Sequence, residues 1–169
     1  ELCESNNAFF HSDTVQTMGH YNFDLSKIKI DFITCSAHKF HGPKGVGFIY
    51  VKSGKNLLPL IEGGSQERGL RGGTESIHNI AGLKKAFELS YDRLQKDSKN
   101  VLKIKEHFIK SIKKSIPDSK INGNFSKNNS SYTILNICLP ISVEKKTLLN
   151  FKLDLAGIAC SGGSACQSG

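Results

Sequence analysis

A lysine between two apolar runs is the side chain best suited to covalent chemistry in this sequence. Lys39 lies within Ser-Ala-His-Lys-Phe-His-Gly-Pro-Lys-Gly, a segment that separates the apolar runs 30–34 and 48–51. Burial and nearby positive charge can lower the pKa of a lysine until its neutral amine attacks a carbonyl carbon. Ser36 and His38 could hold an anion beside that amine. The alternative, which composition alone favours, is an ordinary surface lysine.

Cys166 is the second residue suited to covalent chemistry. It lies in Gly-Gly-Ser-Ala-Cys-Gln-Ser-Gly, where glycines and small side chains predict a loop with an accessible sulfur. Cysteine is more often a small packed residue than a nucleophile, so the residue type alone does not decide between the two. We expect Cys160 to be a packed thiol, with sulfur relay as the alternative, and Cys138 to be buried and inert.

Two further segments place polar groups where a ligand could bind. Asp13 and Gln16 follow a short apolar strand signal, at the strand end where open α/β sheets bind ligands. Asp13 could instead cap a helix predicted over residues 14–18. Residues 63–74 contain five glycines, two arginines and a final threonine, Thr74. This loop could approach an anion closely, or it could simply be flexible.

Hydrophobic spacing predicts the elements that position these side chains. Apolar residues recur every three or four positions from residue 77 to residue 112, which predicts a long helix ended by Pro117. Residues 132–139 are β-branched and alternate, as in a strand. Residues 143–153 predict a short helix. Together with the apolar runs that flank the lysine, this order of elements indicates an α/β protein.

Composition limits the classes of function. The 169 residues, 38% of them hydrophobic, suit one α/β domain or two small ones. The net charge is +8, and many of the lysines lie among acidic residues on predicted helix faces. This distribution favours a solvated surface over a nucleic-acid site. The five scattered cysteines argue against a disulfide framework and a zinc site. No apolar run approaches the ~20 residues of a membrane span, so we expect a cytoplasmic location.

Four segments of the chain resemble, in order, the cysteine desulfurases of the class V aminotransferase superfamily, which use pyridoxal 5'-phosphate. The segments are residues 8–24, 34–51, 62–82 and 155–169. The resemblance implies the α/β fold of the fold type I pyridoxal-phosphate enzymes. Residues 1–76 would form the back half of the large, mainly parallel-sheet domain. Residues 77–169 would form the interdomain helix and the start of the small α/β domain.

The resemblance also assigns the cofactor contacts. Lys39 would hold pyridoxal phosphate covalently and then act as the catalytic base. The other contacts would be Asp13 at the pyridine nitrogen, Gln16 at the phenolic oxygen, Ser36 and His38 at the phosphate in cis, and Thr74 at the phosphate of the other subunit of a homodimer.

The sulfur chemistry that the resemblance implies falls on Cys166. This cysteine would take sulfur from L-cysteine as a persulfide, leave L-alanine, and pass the sulfur to an acceptor protein such as an iron–sulfur scaffold, or towards tRNA thiolation. The chain has Gly162 where the family usually has a second serine, and Cys160 where a valine is common. Neither difference alters the nucleophile.

Some parts that the family uses are not found in this sequence. These parts include a histidine that stacks on the cofactor ring and an arginine that binds the substrate carboxylate. We therefore expect a fragment that is inactive by itself. Two alternatives remain open: another class V enzyme, such as a selenocysteine lyase or an aminotransferase, and a non-catalytic basic binding fragment.

Overall fold

The computed structural model describes residues 1–124 and 130–163. These residues form two compact units, Glu1–Lys99 and the described part of Asn100–Gly169. The division falls within the longest helix, whereas the sequence predicts a domain boundary between Ser76 and Ile77. That boundary stays a prediction. None of the helices in the described ranges is both long enough and apolar enough to cross a bilayer.

The first unit contains a three-stranded sheet in the order β1-β2-β3, preceded by the short helix α1 (Leu2–Ser5). Strand β1 (His11–Asp13) runs parallel to β2 (Phe32–Ser36), and β2 runs antiparallel to β3 (Gly47–Val51). The link from β2 to β3 is too short for the crossover that a parallel pair requires, whereas the longer link from β1 to β2 allows one. The predicted mainly parallel sheet is therefore mixed among the described residues.

The core of this unit lies against β2. Ile33, Cys35 and Phe40 are buried, together with Met18 and Ala86. A central strand covered on both faces is expected to be apolar, and β2 reads Phe-Ile-Thr-Cys-Ser. The core thus fixes the strand that leads directly into the lysine segment.

The long helix α2 (Ile77–Ser115) confirms the prediction from hydrophobic spacing. It ends shortly before Pro117, which cannot continue a helix. Phe87 and Tyr91 of α2 pack against the core of the first unit, with their ring centroids 4.8 Å apart. The prediction of a short helix over residues 14–18 is wrong. This stretch forms a turn instead, in which the amides of Thr17 and Met18 both donate to the carbonyl of Thr14.

The second unit contains a two-stranded antiparallel ladder and a helix. Strands β4 (Lys120–Ile121) and β5 (Ile137–Cys138) pair, and α3 (Val143–Leu155) confirms the predicted helix. The strand predicted over residues 132–139 is far shorter than expected, because only two of its residues find a pairing partner. Cys138 is exposed, so its predicted burial is wrong.

Candidate functional site

Lys39 lies in a 3-10 helix, Ala37–Phe40, which begins where β2 ends. Ala37 and Phe40, at the two ends of this turn, are 0% and 1% exposed and anchor it in the core. The Ala37 amide also donates to the Val46 carbonyl at 3.0 Å. The turn therefore presents a half-buried Lys39 from a rigid base.

Ser36 and His38 form a polar pair beside the lysine. The Ser36 Oγ lies 3.0 Å from the His38 Nδ1. His38 is exposed and Ser36 is half-buried, so both groups can reach a ligand. A hydroxyl and an imidazole can both donate hydrogen bonds to an anion.

Asp13 ends β1 at the same edge of the sheet. It pairs in register with Thr34 of the parallel neighbour, and the amide and hydroxyl of Thr14 both donate to the Thr34 carbonyl, at 2.9 and 2.8 Å. The Asp13 Oδ1 accepts a hydrogen bond from the Val15 amide at 2.8 Å. The other carboxylate oxygen has no partner within the described residues, so it is available to a ligand.

These side chains fit pyridoxal phosphate by the chemistry of their donors and acceptors. The free carboxylate oxygen of Asp13 can accept a hydrogen bond from the protonated ring nitrogen of the cofactor. Ser36 and His38 supply donors for a phosphate, and Lys39 supplies an amine for an aldehyde. The parallel pairing of β1 and β2 brings the carboxylate and the amine to one edge of the sheet, because the carboxyl ends of parallel strands meet there.

Gln16 and Thr74 are exposed and have weaker structural support. Gln16 follows Asp13 in the turn after β1 and makes no hydrogen bond within the described part of the chain. Thr74 ends the glycine-rich loop, where the Gly72 amide donates to the Ile61 carbonyl at 2.8 Å. No described contact joins Thr74 to the lysine turn. Their roles stay predictions.

His20 makes a contact that sequence reasoning did not find. Its Nε2 lies 3.2 Å from the backbone carbonyl oxygen of Lys39, and a tautomer with a proton on Nε2 donates there. From sequence alone, His20 is predicted to have a structural or surface role. No spacing rule connects residues nineteen positions apart in a turn and a 3-10 helix, so the sequence contained no signal for this contact.

The cysteines differ in their access to solvent. Cys166 lies outside the described residues, so its role as nucleophile stays a prediction. Cys35 is buried in β2, and burial raises the pKa of its thiol, which makes it a poor nucleophile. Cys160 is exposed, with its Sγ 3.9 Å from the Asn150 Oδ1, so the expectation that it is packed is wrong.

The sequence is similar to a known family and to several curated proteins. A model of the family described as aminotransferase class-V matches residues 1–168. The cysteine desulfurase IscS of Clostridium botulinum is 41% identical over 168 residues, which cover 99% of this chain and 42% of that protein. The cysteine desulfurase IscS of Dictyoglomus turgidum is 37% identical over 171 residues, with coverage of 99% and 42%.

Solved structures resemble the chain in the same way. A NifS-like protein superimposes with a TM-score of 0.85 and 34% identity, and the match covers 96% of this chain and 43% of that one. A NifS-like protein from Rickettsia africae gives a TM-score of 0.83 and 32% identity, with coverage of 96% and 44%. The chain therefore spans less than half the length of these relatives.

Proposed function

Because this chain belongs to the aminotransferase class-V family, we propose that it is part of a pyridoxal-phosphate-dependent cysteine desulfurase, an enzyme that converts L-cysteine to L-alanine. The family depends on pyridoxal phosphate, and the fold is that of the fold type I enzymes. One structural observation carries the proposal. A single sheet edge holds Asp13, the Ser36–His38 pair and Lys39, which together match what this cofactor needs.

When bound, pyridoxal phosphate supplies an electron-accepting ring that stabilises negative charge on the substrate α-carbon. Lys39 would hold the cofactor aldehyde through its Nζ, and its free amine would take the α-proton of the substrate. Asp13 would keep a proton on the pyridine nitrogen. Ser36 and His38 would orient the phosphate. The contact from His20 would hold the Lys39 carbonyl in place.

Cys166 supplies the step that captures sulfur. Its thiolate attacks the sulfur of the substrate, so an S–S bond forms while the Cβ–S bond breaks. The electron pair of the broken bond stays with the substrate carbon, where protonation gives alanine. The products are therefore alanine and a persulfide on Cys166. An acceptor thiol then takes the terminal sulfur.

The partners and the location belong to the same proposal. The sulfur acceptor is a protein such as an iron–sulfur scaffold, or a component of tRNA thiolation. The enzyme is a cytoplasmic homodimer in which Thr74 reaches the phosphate of the other subunit. Two large side chains near the glycine-rich loop, Leu58 and Leu60, are 94% and 97% exposed. Such exposure is compatible with burial against a second subunit, as in the proposed homodimer.

The decisive test separates persulfide formation from other class V chemistry. The protein that contains this chain is incubated with L-cysteine, and the peptides are analysed by mass spectrometry. We expect one added sulfur on Cys166. Cys166→Ser should keep the cofactor absorbance and lose both the added sulfur and nearly all alanine release, because a hydroxyl is a poor sulfur acceptor. Cys160→Ser is the matched control and should behave like the parent.

Three outcomes of this experiment would contradict the proposal. Added sulfur on Cys160 would identify a different nucleophile. Rapid alanine production without any added sulfur on the protein would indicate a lyase activity instead of a desulfurase activity. A protein without cofactor absorbance would instead favour the non-catalytic binding fragment.

The cofactor lysine is tested separately, without reference to turnover. Borohydride reduction of the protein followed by peptide mapping should place the pyridoxyl group on Lys39, because only this lysine follows the Ser36–His38 pair. Lys44, which is exposed five residues further along, is the natural competitor. A label on Lys44 or on Lys52 would reject the assignment.

A further inference from the structure

Lys105 is a buried lysine in the second unit, far along the sequence from the proposed catalytic residues. Its side chain belongs to α2 and the residue is only 8% exposed. The ammonium donates to the Ser131 carbonyl oxygen at 2.6 Å and to the Ser130 Oγ at 3.2 Å. Lysine is almost never buried to this degree unless it is paired with a negative charge. Both of its partners are neutral.

No counter-ion for this charge is present among the described residues. None of the four ion pairs found there includes Lys105. Ser130 and Ser131, which contact the ammonium, belong to a stretch that cannot supply one, because the sequence of residues 119–143 contains neither aspartate nor glutamate. An ammonium group removed from water is unfavourable unless hydrogen bonds and an opposite charge compensate for the loss of hydration. A negative charge that pairs with Lys105 would therefore have to come from outside this segment.

A cavity of about 210 Å³ adjoins Lys105, and its lining is more apolar than polar. Asn122, Asn136 and the two serines contribute to its walls. The side-chain amide Nδ2 of Asn122 donates to the Asn136 Oδ1 at 2.6 Å. The side-chain amide Nδ2 of Asn136 makes no hydrogen bond within the described part of the chain. An ammonium has three N–H groups, of which two are used here. One N–H of Lys105 and the amide of Asn136 thus remain to bind a ligand.

We infer that this cavity binds one small monoanionic carboxylate, with Lys105 as its charge partner. A carboxylate has two oxygens, so it can accept hydrogen bonds from the ammonium and from the Asn136 amide at the same time. A single negative charge matches the single buried positive charge, whereas a dianion would leave excess charge among neutral groups. The volume is below the ~300 Å³ at which pockets begin to hold drug-sized ligands, so only a small acid fits. The carboxylate can be free, or it can be the side chain of a partner segment.

The inference is tested by titration calorimetry and thermal unfolding with defined probes. Sodium acetate represents a free carboxylate, and the α-amide of N-acetylaspartate represents a side chain. Sodium chloride at equal ionic strength controls for general salt effects. At concentrations near ten times the dissociation constant, either carboxylate should raise the Tm of the protein by about 3 °C. The stronger of the two probes identifies the source of the carboxylate.

Two variants locate the binding to this cavity. Lys105→Met keeps the length of the side chain and removes its charge, so saturable binding of both probes should be lost. Lys103→Met, which removes an exposed lysine from the same helix, is the matched control and should bind like the parent. Asn136→Ala changes an exposed residue, so it tests the cavity even if Lys105→Met fails to fold. It should weaken binding by about tenfold, as expected for the loss of one hydrogen bond to a charged group.

Three results would overturn the inference. The first is an equal Tm rise with chloride and with the carboxylates. The second is unchanged binding in Lys105→Met or in Asn136→Ala. The third is tighter binding of inorganic phosphate than of either monoanion. None of these measurements depends on catalysis, so they stand or fall separately from the proposed desulfurase activity.

Discussion

Asp13 shows how one side chain can serve both the backbone and a ligand. From sequence, a helix cap and a cofactor contact compete for this residue. In the structure its Oδ1 accepts the Val15 amide at 2.8 Å, in a turn rather than a helix, while the other oxygen has no partner among the described residues. The two functions therefore use different atoms, and a substitution can separate them.

The substitution Asp13→Asn tests the charge alone. An asparagine retains an oxygen that can accept from the Val15 amide, but it cannot hold a proton on the cofactor nitrogen. We expect kcat/KM for alanine formation to fall about 10²–10³-fold, the scale of losing one electrostatic contact that matters most in the transition state. The free energy of unfolding in urea should change by less than about 0.5 kcal/mol.

Asp13→Ala is the companion variant for this prediction. It removes both the charge and the backbone contact, so it should lose the same activity and about 1 kcal/mol of stability in addition. If Asp13→Asn retained full turnover, the residue would have only its structural role.

The thiols provide a prediction that depends on pH. Burial raises the pKa of Cys35, and a higher pKa means a smaller fraction of reactive thiolate at any given pH. At pH 8, iodoacetamide should therefore modify the exposed Cys138 and Cys160 well before Cys35. Labelling of Cys35 should rise as the pH is increased. Mass spectrometry of the peptides over time measures this order, and equal rates for Cys35 and Cys160 would contradict it.

At the scale of the element, close packing around the 3-10 helix fixes the position of Lys39. Phe40, at the end of this helix, is 1% exposed and packs edge-to-face on Phe87 of α2 at 6.0 Å. A Cβ atom on Gly19 would lie 2.7 Å from the Phe40 Cβ, far inside contact distance. The turn after β1 therefore has to carry a glycine if Phe40, and with it Lys39, is to keep its position.

The substitution Gly19→Ala tests this packing. Gly19 has a φ of +77° and Gly45 a φ of +82°, so an alanine is strained at both positions. At Gly45 no atom lies within 4 Å of the added Cβ, which makes Gly45→Ala the matched control for strain alone. Gly19→Ala should cost about 1–3 kcal/mol more than the control in urea unfolding, as overpacking does. Equal losses would show that the contact with Phe40 relaxes freely.

Assembly is the question at the scale of the whole molecule. Thr74 is exposed and has no described contact with the Ser36–His38 pair. A phosphate contact from Thr74 in the proposed homodimer would therefore be made across the subunit interface. Such a contact makes each active site depend on two chains.

Heterodimers test this dependence directly. Chains with Lys39→Ala and chains with Thr74→Ala should each be inactive alone. After mixing, each heterodimer should contain one site with both changes and one site with neither, so desulfurase activity should return. The measurement is alanine formation after subunit exchange, with unmixed variants as controls. Absence of any recovery would mean that Thr74 acts within its own chain or has no role in binding.

The sequence by itself determined the elements that depend on local patterns. Strands β2 and β3, the helices α2 and α3, and the end of α2 before Pro117 follow from apolar spacing and from the missing amide of proline. The motif segments and their order also indicated the family. Each segment, such as Ser-Ala-His-Lys, is contiguous in the chain and can therefore be compared directly. Contiguous patterns can be predicted, since each residue's neighbours in space are then its neighbours in sequence.

Only the tertiary structure decided which distant groups meet. The contact of His20 with the Lys39 carbonyl depends on how a turn packs against a 3-10 helix. The shortening of the strand predicted over residues 132–139 depends on how many pairing partners are available. The lysines of α2 were expected on a solvated face, yet Lys105 is buried beneath Ser130 and Ser131. Burial and pairing arise from contacts between residues far apart in the chain, and local spacing contains no record of such contacts.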